Sequence, residues 1–565
     1  MTALTTTVVT RFDPDESTTL LVQTRLVIVS PNMKSTSTTL CTLAQVLFLA
    51  PVCSLGGIRR PIDTTFSSLG SKLSEDANIY FPGSEGFVNG SGTWAAKKPQ
   101  LDALVRVAAE EDVQITVFGN ASSIKVKSTD CANKIRFANA FNRPFLAITG
   151  GHGETWDLGN VRNGIGISMR GLAYIHVADD GRSATIGGGT QSGEVIAALW
   201  SMGKQAVATA CDCAGIISPM LGGGHGWLQG QHGLLTDNIL SARVVLADGT
   251  AVTASPSVNS DLFWALRGAG HNFGIVTSVD YRIFDVEPGQ GRLWAYEEYV
   301  FKQDKLEALF GWANGLLQGD TESPRPVELT HYAHFEFRPD IDPENPIILF
   351  WLIWQGRGTI PPAYTDRVRA LFPVSIKAGT TDITGMNTVA GAAYGTAACA
   401  KGSTSALLFG VSLKRWNLEG LRATLDIYNT LPPELRNSFV LLEAYSTRGV
   451  EAVSDDETAY PDRFNQILAS PAMYYQAGNA SLDDLAAEFG GRMRNALFNG
   501  SGQPLHAYVN YAHGDESLRA LYGYEDWRLW RLSRLKAKYD PFGKFGYYAP
   551  INPGIPGKLG EGPGP

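Results

Sequence analysis

Two glycine-flanked clusters hold the residues best suited to chemistry. Thr149-Gly150-Gly151-His152-Gly153 follows the apolar run Pro144 to Ile148. Consecutive glycines let backbone N–H groups converge on an anion, and the adjacent His offers a nucleophilic nitrogen, so a phosphate-bearing cofactor suits the segment. A glycine-rich turn with a surface His fits the same five residues. The second cluster is Cys211-Asp212-Cys213-Ala214-Gly215, followed by Gly222-Gly223-Gly224-His225-Gly226-Trp227 and then Gly233 to Asn238. A third stretch, Asp261 to Thr277, contains Arg267-Gly268 and Asn272-Phe273-Gly274-Ile275. None has GxGxxG or GxxxxGK(S/T) spacing between a strand and a helix, which excludes a Rossmann dinucleotide site and a P-loop. Cys211, Cys213, His225 and His232 do not make a zinc site either, because a lone C-x-C lacks the second ligand pair, and no metal is expected.

Positioning such clusters takes a large fold, and 565 residues that are 44% hydrophobic supply its core. The length suits one two-lobed enzyme as well as three or four ordinary domains. Only 18% of residues are charged, so the surface relies on Ser, Thr, Asn and Gly. The balance of 47 Lys+Arg against 55 Asp+Glu, with no basic run, excludes nucleic acid as a partner. No apolar stretch reaches the ~18–20 residues of a membrane span. The 61 glycines lack a triplet period and mark tight backbone approaches.

Helical and β-branched segments alternate from about residue 100. Glu110-Glu111-Asp112 opens a helix, with acids complementing its dipole. The pattern breaks at 118–135; without that stretch EEDVQITV joins RFANAFN as one amphipathic helix leading to the strand ending at Ile148, so 118–135 reads as a retained intron or a surface insertion. Hairpins follow around Ala178 to Gly181 and at Asp248-Gly249, with a helix from Gln191 to Met202 between them. Between about 290 and 510 come aromatic strands, such as His331 to Phe337 and Ile347 to Trp354, and helices such as Leu306 to Leu317 and Leu418 to Leu431. Asp526 to Tyr539 is a last helix, stopped by Asp540-Pro541.

Residues 1–32 are expected to be an unstructured extension. From Met33, Lys34, the apolar Leu40 to Pro51 and the small-residue end Val52-Cys53-Ser54 read as a signal peptide over 33–54, and a buried apolar helix is the other reading. The expectation is a secreted or secretory-pathway protein. Sequons at Asn89, Asn120, Asn479 and Asn499 permit glycosylation. Cys131, Cys211, Cys213 and Cys399 remain beyond that segment, too few for a disulfide framework.

Taken in order, GGH, a Cys ahead of GGG, QHGL with Asp237-Asn238, VLADG, DLFWALRG, NFGIVT, Y-x-N-Y and K-x-K-Y-D-P resemble the berberine bridge enzyme-like FAD-linked oxidoreductases, which have the vanillyl-alcohol-oxidase/PCMH-type FAD-binding fold. The likeness covers roughly 95–285 and 505–552. It implies an α+β, two-lobed molecule: a PCMH-type FAD-binding domain over 95–285 with 118–135 as an insertion, a substrate lobe of antiparallel sheet backed by helices over 286–505, and a segment 506–552 returning to the FAD domain. It further implies FAD bonded covalently to His152. Cys211 lies eleven residues ahead of Gly222, the spacing of the cysteine that bicovalent members attach to flavin C6, so one tether or two stay open. Cys213 has the wrong spacing and is read as structural.

The resemblance assigns Gly150, Gly151, Gly153 and Gly222, Gly223, Gly224 to the pyrophosphate and ribityl chain, and Gly274 and Ile275 to the adenine end. Tyr511 corresponds to the general base of several members, with Asn510 beside it, a role that requires a neighbour to lower the phenol's ordinary pKa of ~10. Pro219 stands where the family often has His. The expected enzyme oxidises a small alcohol, sugar or secondary-metabolite intermediate, hydride passing to FAD and electrons to dioxygen. A dehydrogenase or cyclase of the same fold, or a non-catalytic flavin- or carbohydrate-binding protein, is the alternative. Tyr332, Trp351 and Trp354 either stack a substrate ring or fill the core, and core is favoured.

Overall fold

The computed structural model describes residues 64–118, 143–317, 325–402 and 404–552, together with the strands Leu4–Val9 and Leu21–Leu26. Those two strands pair antiparallel inside a separate unit, Met1–Pro61, so the stretch 1–32 carries a hairpin where no structure was expected. The signal-peptide reading of 33–54 lies outside the described residues. So does the insertion at 118–135, except for Phe118, which ends the helix Glu110–Phe118.

The larger unit begins with a four-stranded sheet ordered Asn78–Tyr80, Leu101–Arg106, Gly164–Ser168, Phe145–Ile148, in which the last three run parallel. The Asp112 carboxylate accepts the Ala108 and Ala109 N–H groups at 2.9 Å, satisfying amides at the start of Glu110–Phe118 that a helix leaves unpaired. Phe145–Ile148 delivers the chain directly to Thr149 to Gly153. A five-stranded antiparallel sheet follows, ordered Ala251–Ala254, Ile239–Val245, Ile275–Arg282, Ser183–Gly187, Ile175–Val177.

The second lobe is one antiparallel sheet of eight strands. Its order is Ser375–Thr381, Trp294–Phe301, Ile347–Gln355, Leu329–Glu336, Phe439–Ala444, Ile467–Gln476, Thr404–Leu408, and Val411–Leu413 also pairs with Ile467–Gln476. The strand Ile347–Gln355 is apolar at every position before Gln355 because both faces are covered. Leu349, Trp351 and Ile353 point into the core shared with the first lobe, whereas Phe350, Leu352 and Trp354 pack against Leu306–Asn314 and Leu418–Asn429. Tyr332 joins the shared core, so all three aromatic residues serve packing, each under 10% exposed.

The chain then returns to the first lobe. At the end of Asp526–Tyr539, Lys536 Nζ donates to Asp540 at 2.7 Å, to the Asn272 carbonyl at 2.9 Å and to the Phe545 carbonyl at 3.0 Å. Asn272 Oδ1 in turn accepts the Ile551 N–H at 2.8 Å. The K-x-K-Y-D-P and NFGIVT motifs are thus one buried latch that closes the first lobe.

Candidate active site

The 150 and 213 loops meet backbone to backbone because neither carries a Cβ there. A Cβ on Gly150 would sit 2.6 Å from the Cys213 carbonyl oxygen and the Gly215 nitrogen, and one on Gly215 would sit 2.8 Å from Thr149. Gly151 has φ +68°, and a Cβ there would lie 2.4 Å from the Gly92 oxygen. This approach gathers His152, Cys211 and Cys213, whose ligating atoms all lie within 4.8 Å of one another. His152 Nε2 is 3.2 Å from Cys213 Sγ, and Cys211 Sγ is 3.7 Å from Cys213 Sγ. Cys213 is joined to Cys399 by a disulfide and is therefore structural, while Cys211 is free. Lys401 Nζ donates to the Gly150 carbonyl.

Burial, reinforced by the Lys401 ammonium, pushes His152 down to about 3, so its imidazole is neutral and keeps a lone pair. Burial raises the Cys211 thiol to about 11, against opposing hydrogen bonds from the Ala214 and Cys213 backbone. Two residues beyond His152, Glu154 is buried with Oε2 unpartnered, and burial lifts it to about 8. Its folded value stands above its unfolded one, so its contribution to stability is complete below the unfolded pKa and is lost as pH rises through about 8. Above about pH 6.5 the histidines that burial holds low, such as His152 and His271, act in the opposite sense and change charge little. Glu154→Gln is therefore expected to gain roughly 2 kcal/mol over wild type between pH 6.5 and 8, measured as the pH dependence of urea unfolding. Parallel curves for the two proteins over that range would refute it.

A cavity runs from His152 along the first lobe, walled by Gly150, Gly151, Gly153, Gly274, Ile275 and Asn510, with Phe145, Ile148, Phe545 and Tyr548 among its apolar surfaces. His271 lines it with Nδ1 buried and unpartnered, and its ring stacks on Tyr548 at 4.6 Å. A chamber with bare glycine backbone, apolar walls and an orphaned ring nitrogen fits a phosphate-bearing cofactor such as FAD. Gly222, Gly223 and Gly224 are not on its wall. A Cβ at these positions would sit 2.3 Å from Asn510 Oδ1, 2.5 Å from Tyr460 and 2.6 Å from Leu235, so here the run serves close packing.

The segment Tyr508 to Tyr511 contains a tight helical turn, Val509–Tyr511. Asn510 Nδ2 donates to the Pro219 carbonyl at 3.0 Å and to Tyr508 Oη at 2.7 Å, and the Tyr511 N–H bonds back to the Tyr508 carbonyl at 2.8 Å. A strand would send Tyr508 and Asn510 to one face and Tyr511 to the other; the turn brings the Tyr508 and Tyr511 rings to 5.1 Å. Pro219 thus offers a carbonyl that orients Asn510.

Tyr511 Oη donates to Glu443 Oε2 at 3.1 Å, and Tyr445 Oη donates to Glu443 Oε1 at 2.7 Å. Glu443 lies on Phe439–Ala444 opposite Tyr332, on the sheet face turned to the first lobe. Burial raises it to about 7, partly offset by the two phenols. Tyr511 departs from the expected direction: burial, then the Glu443 charge, lifts its phenol well above its ordinary value. Among the described residues no cation lowers it, and the poised group is the carboxylate. Sequence reasoning missed Glu443, whose signal was an acid in phase with the apolar positions of FVLLEAY. It also missed Glu154, Lys401 and the Cys399 partner, which lack a local signature.

The family model for an FAD binding domain matches residues 124–255. The FAD-linked oxidoreductase chry5 of Gibberella zeae is 37% identical over 496 residues, covering 86% of this chain and 95% of that protein. The FAD-linked oxidoreductase anuG of Penicillium roqueforti is 37% identical over 469 residues, covering 82% and 86%. Among solved structures, the glucooligosaccharide oxidase of Acremonium strictum, whose FAD is 6-S-cysteinyl, 8α-N1-histidyl, superposes with a TM-score of 0.69 at 21% identity over 87% of this chain and 99% of that one. A chitooligosaccharide oxidase superposes with a TM-score of 0.69 at 20% identity, covering 87% and 100%. The α+β architecture, the glycine-walled cavity and these relatives agree: the chain belongs to the FAD-linked oxidoreductases and has the vanillyl-alcohol-oxidase/PCMH-type FAD-binding fold.

Proposed function

We propose that this enzyme oxidises a hydroxyl of a small alcohol, sugar or secondary-metabolite intermediate, with FAD held covalently by His152 and Cys211 and dioxygen as the final acceptor. The observation that carries this reading is the Tyr511–Glu443 hydrogen bond, in which a part-buried phenol meets a buried carboxylate with no charge partner among the described residues, on the sheet face turned to the FAD lobe. Bound FAD supplies the two-electron acceptor for a hydride. The chain's own residues manage the proton. Tyr511 Oη takes the substrate hydroxyl proton as its own proton passes to Glu443 Oε2, so the phenol need never exist as a free phenolate. Tyr445 holds the other carboxylate oxygen and keeps Glu443 aimed at Tyr511. Burial keeps His152 neutral, as a covalent bond from its ring nitrogen requires, and the nearby Cys211 supplies the sulfur for a second bond. The linkage in the Acremonium strictum oxidase, on the same fold, supports the double attachment. The Cys213–Cys399 disulfide supports the secretory reading, since such bonds persist in oxidising compartments.

The test is acid precipitation of purified protein with peptide mass spectrometry. Yellow colour is expected to stay with the polypeptide in wild type and in His152→Ala and Cys211→Ala, and to leave it in the double variant. Colour retained by the double variant would move the anchor elsewhere. Substrate-dependent peroxide formation reports the oxidase; anaerobic bleaching without peroxide in air would mean another acceptor.

A further inference from the structure

Three sulfurs stand beside the attachment histidine, and only one of them is free. We propose that the Cys213–Cys399 disulfide is a sorting bond: it commits Cys213 to the second lobe and so reserves Cys211 as the single thiol for the flavin. This rests on the doubly attached FAD proposed above.

The geometry makes sorting necessary. Cys211 Sγ lies 3.7 Å from Cys213 Sγ, close enough for the two thiols to pair with each other, and Cys213 Sγ is itself 3.2 Å from His152 Nε2. With Cys399 absent, Cys213 becomes a rival sulfur at the same spot. The structure also shows how the pair is separated. Asp212, between the two cysteines, is clamped by the loop that carries Cys399 and by the helix Ile383–Val389 just before it. Its N–H donates to the Ala392 carbonyl at 3.0 Å, its Oδ2 accepts the Tyr394 N–H at 3.1 Å, and its Oδ1 accepts Asn387 Nδ2 at 2.8 Å. Two residues past Cys399, Lys401 donates to the Gly150 carbonyl. One loop therefore fixes the Cys213 side chain, the backbone beside Cys211 and the glycine next to the histidine loop.

The chemistry balances in two steps. Forming the sorting bond oxidises the Cys213 and Cys399 thiols, and their two electrons and two protons pass to a disulfide oxidant such as oxidised glutathione. Forming the second flavin attachment joins Cys211 Sγ to a ring carbon; the thiol hydrogen and the displaced ring hydrogen leave as protons, and the bond's two electrons are taken up by the ring. The ring is left two-electron reduced, and dioxygen, the acceptor proposed above, takes those electrons and becomes peroxide. A Cys211–Cys213 disulfide would block the second step, because its sulfur is no longer a thiol.

The test compares sulfur-linked flavin in tryptic peptides of wild type, Cys399→Ser, Cys213→Ser and the Cys213→Ser/Cys399→Ser double variant, each purified aerobically as full-length protein. Cys399→Ser is expected to lose roughly tenfold of its sulfur-linked flavin and to gain a Cys211–Cys213 disulfide, because an adjacent thiol outcompetes a slower attachment. Cys213→Ser and the double variant, which lack the rival sulfur, are expected to keep the wild-type level. Equal sulfur-linked flavin in Cys399→Ser and wild type overturns the proposal, and so does loss in all three variants, which would make the bond a mere brace for the loop. Absence of sulfur-linked flavin from wild type itself would instead defeat the double-attachment reading on which the proposal rests.

Discussion

Glu443→Gln is expected to slow substrate oxidation by roughly 10²- to 10⁴-fold, the usual worth of a positioned proton acceptor. The amide keeps the shape of the carboxyl and its oxygen can still accept from one of the two phenols, but its NH2 only donates and it cannot take up a proton. Burial holds Glu443 at about 7, so in wild type the rate of anaerobic flavin bleaching should rise with pH through neutrality as this group loses its proton. The variant should lose that rise along with the rate. The two readouts separate proton transfer from simple damage, since a misplaced side chain lowers the rate and leaves the pH dependence in place. Bleaching at the wild-type rate, or an unchanged pH profile, removes Glu443 from the chemistry.

Arg463→Met is expected to destabilise the fold by about 3–5 kcal/mol, the cost of leaving a buried charge without its partner. Arg463 and Asp237 side chains are 3% and 4% exposed and meet in a two-pronged pair at 2.7 and 3.0 Å. Arg463 also donates to the Val450 carbonyl and to Thr458, while Asp237 accepts the Leu234 N–H at 2.9 Å. The pair therefore locks the loop after the glycine triplet to the segment around Tyr460. Pairing the change with Asp237→Leu removes the stranded carboxylate and should recover part of the loss. Urea unfolding of the three proteins checks this, and a single variant within about 0.5 kcal/mol of wild type would refute it.

Much of this organisation was legible in the chain. A continuous apolar, aromatic run located the strand Ile347–Gln355 and a period-3.6 pattern located the helix Asp526–Tyr539, because each element's burial is written in its own residues. The ordered motifs pointed to FAD, since a bare glycine backbone beside a His is a local requirement. The motifs did not announce their division of labour. Gly150 and Gly151 line the cavity, whereas Gly222 makes room for Asn510, and both kinds of glycine look alike in one dimension. Asn272 and Lys536, read only as parts of a signature, are 264 residues apart and form one latch.

Residue order by itself determined the two-lobed α+β class, the histidine loop and the segment that ends in Tyr511. Tertiary structure decided which cysteine pairs with Cys399, that Val509–Tyr511 coils instead of extending, and that a carboxylate from the second lobe meets Tyr511 across 68 residues. The reason is physical. Periodicity and turn chemistry are set by neighbours within a few positions, but desolvation and proximity arise only when distant segments pack, and those two effects raise Glu443 and leave Cys211 free.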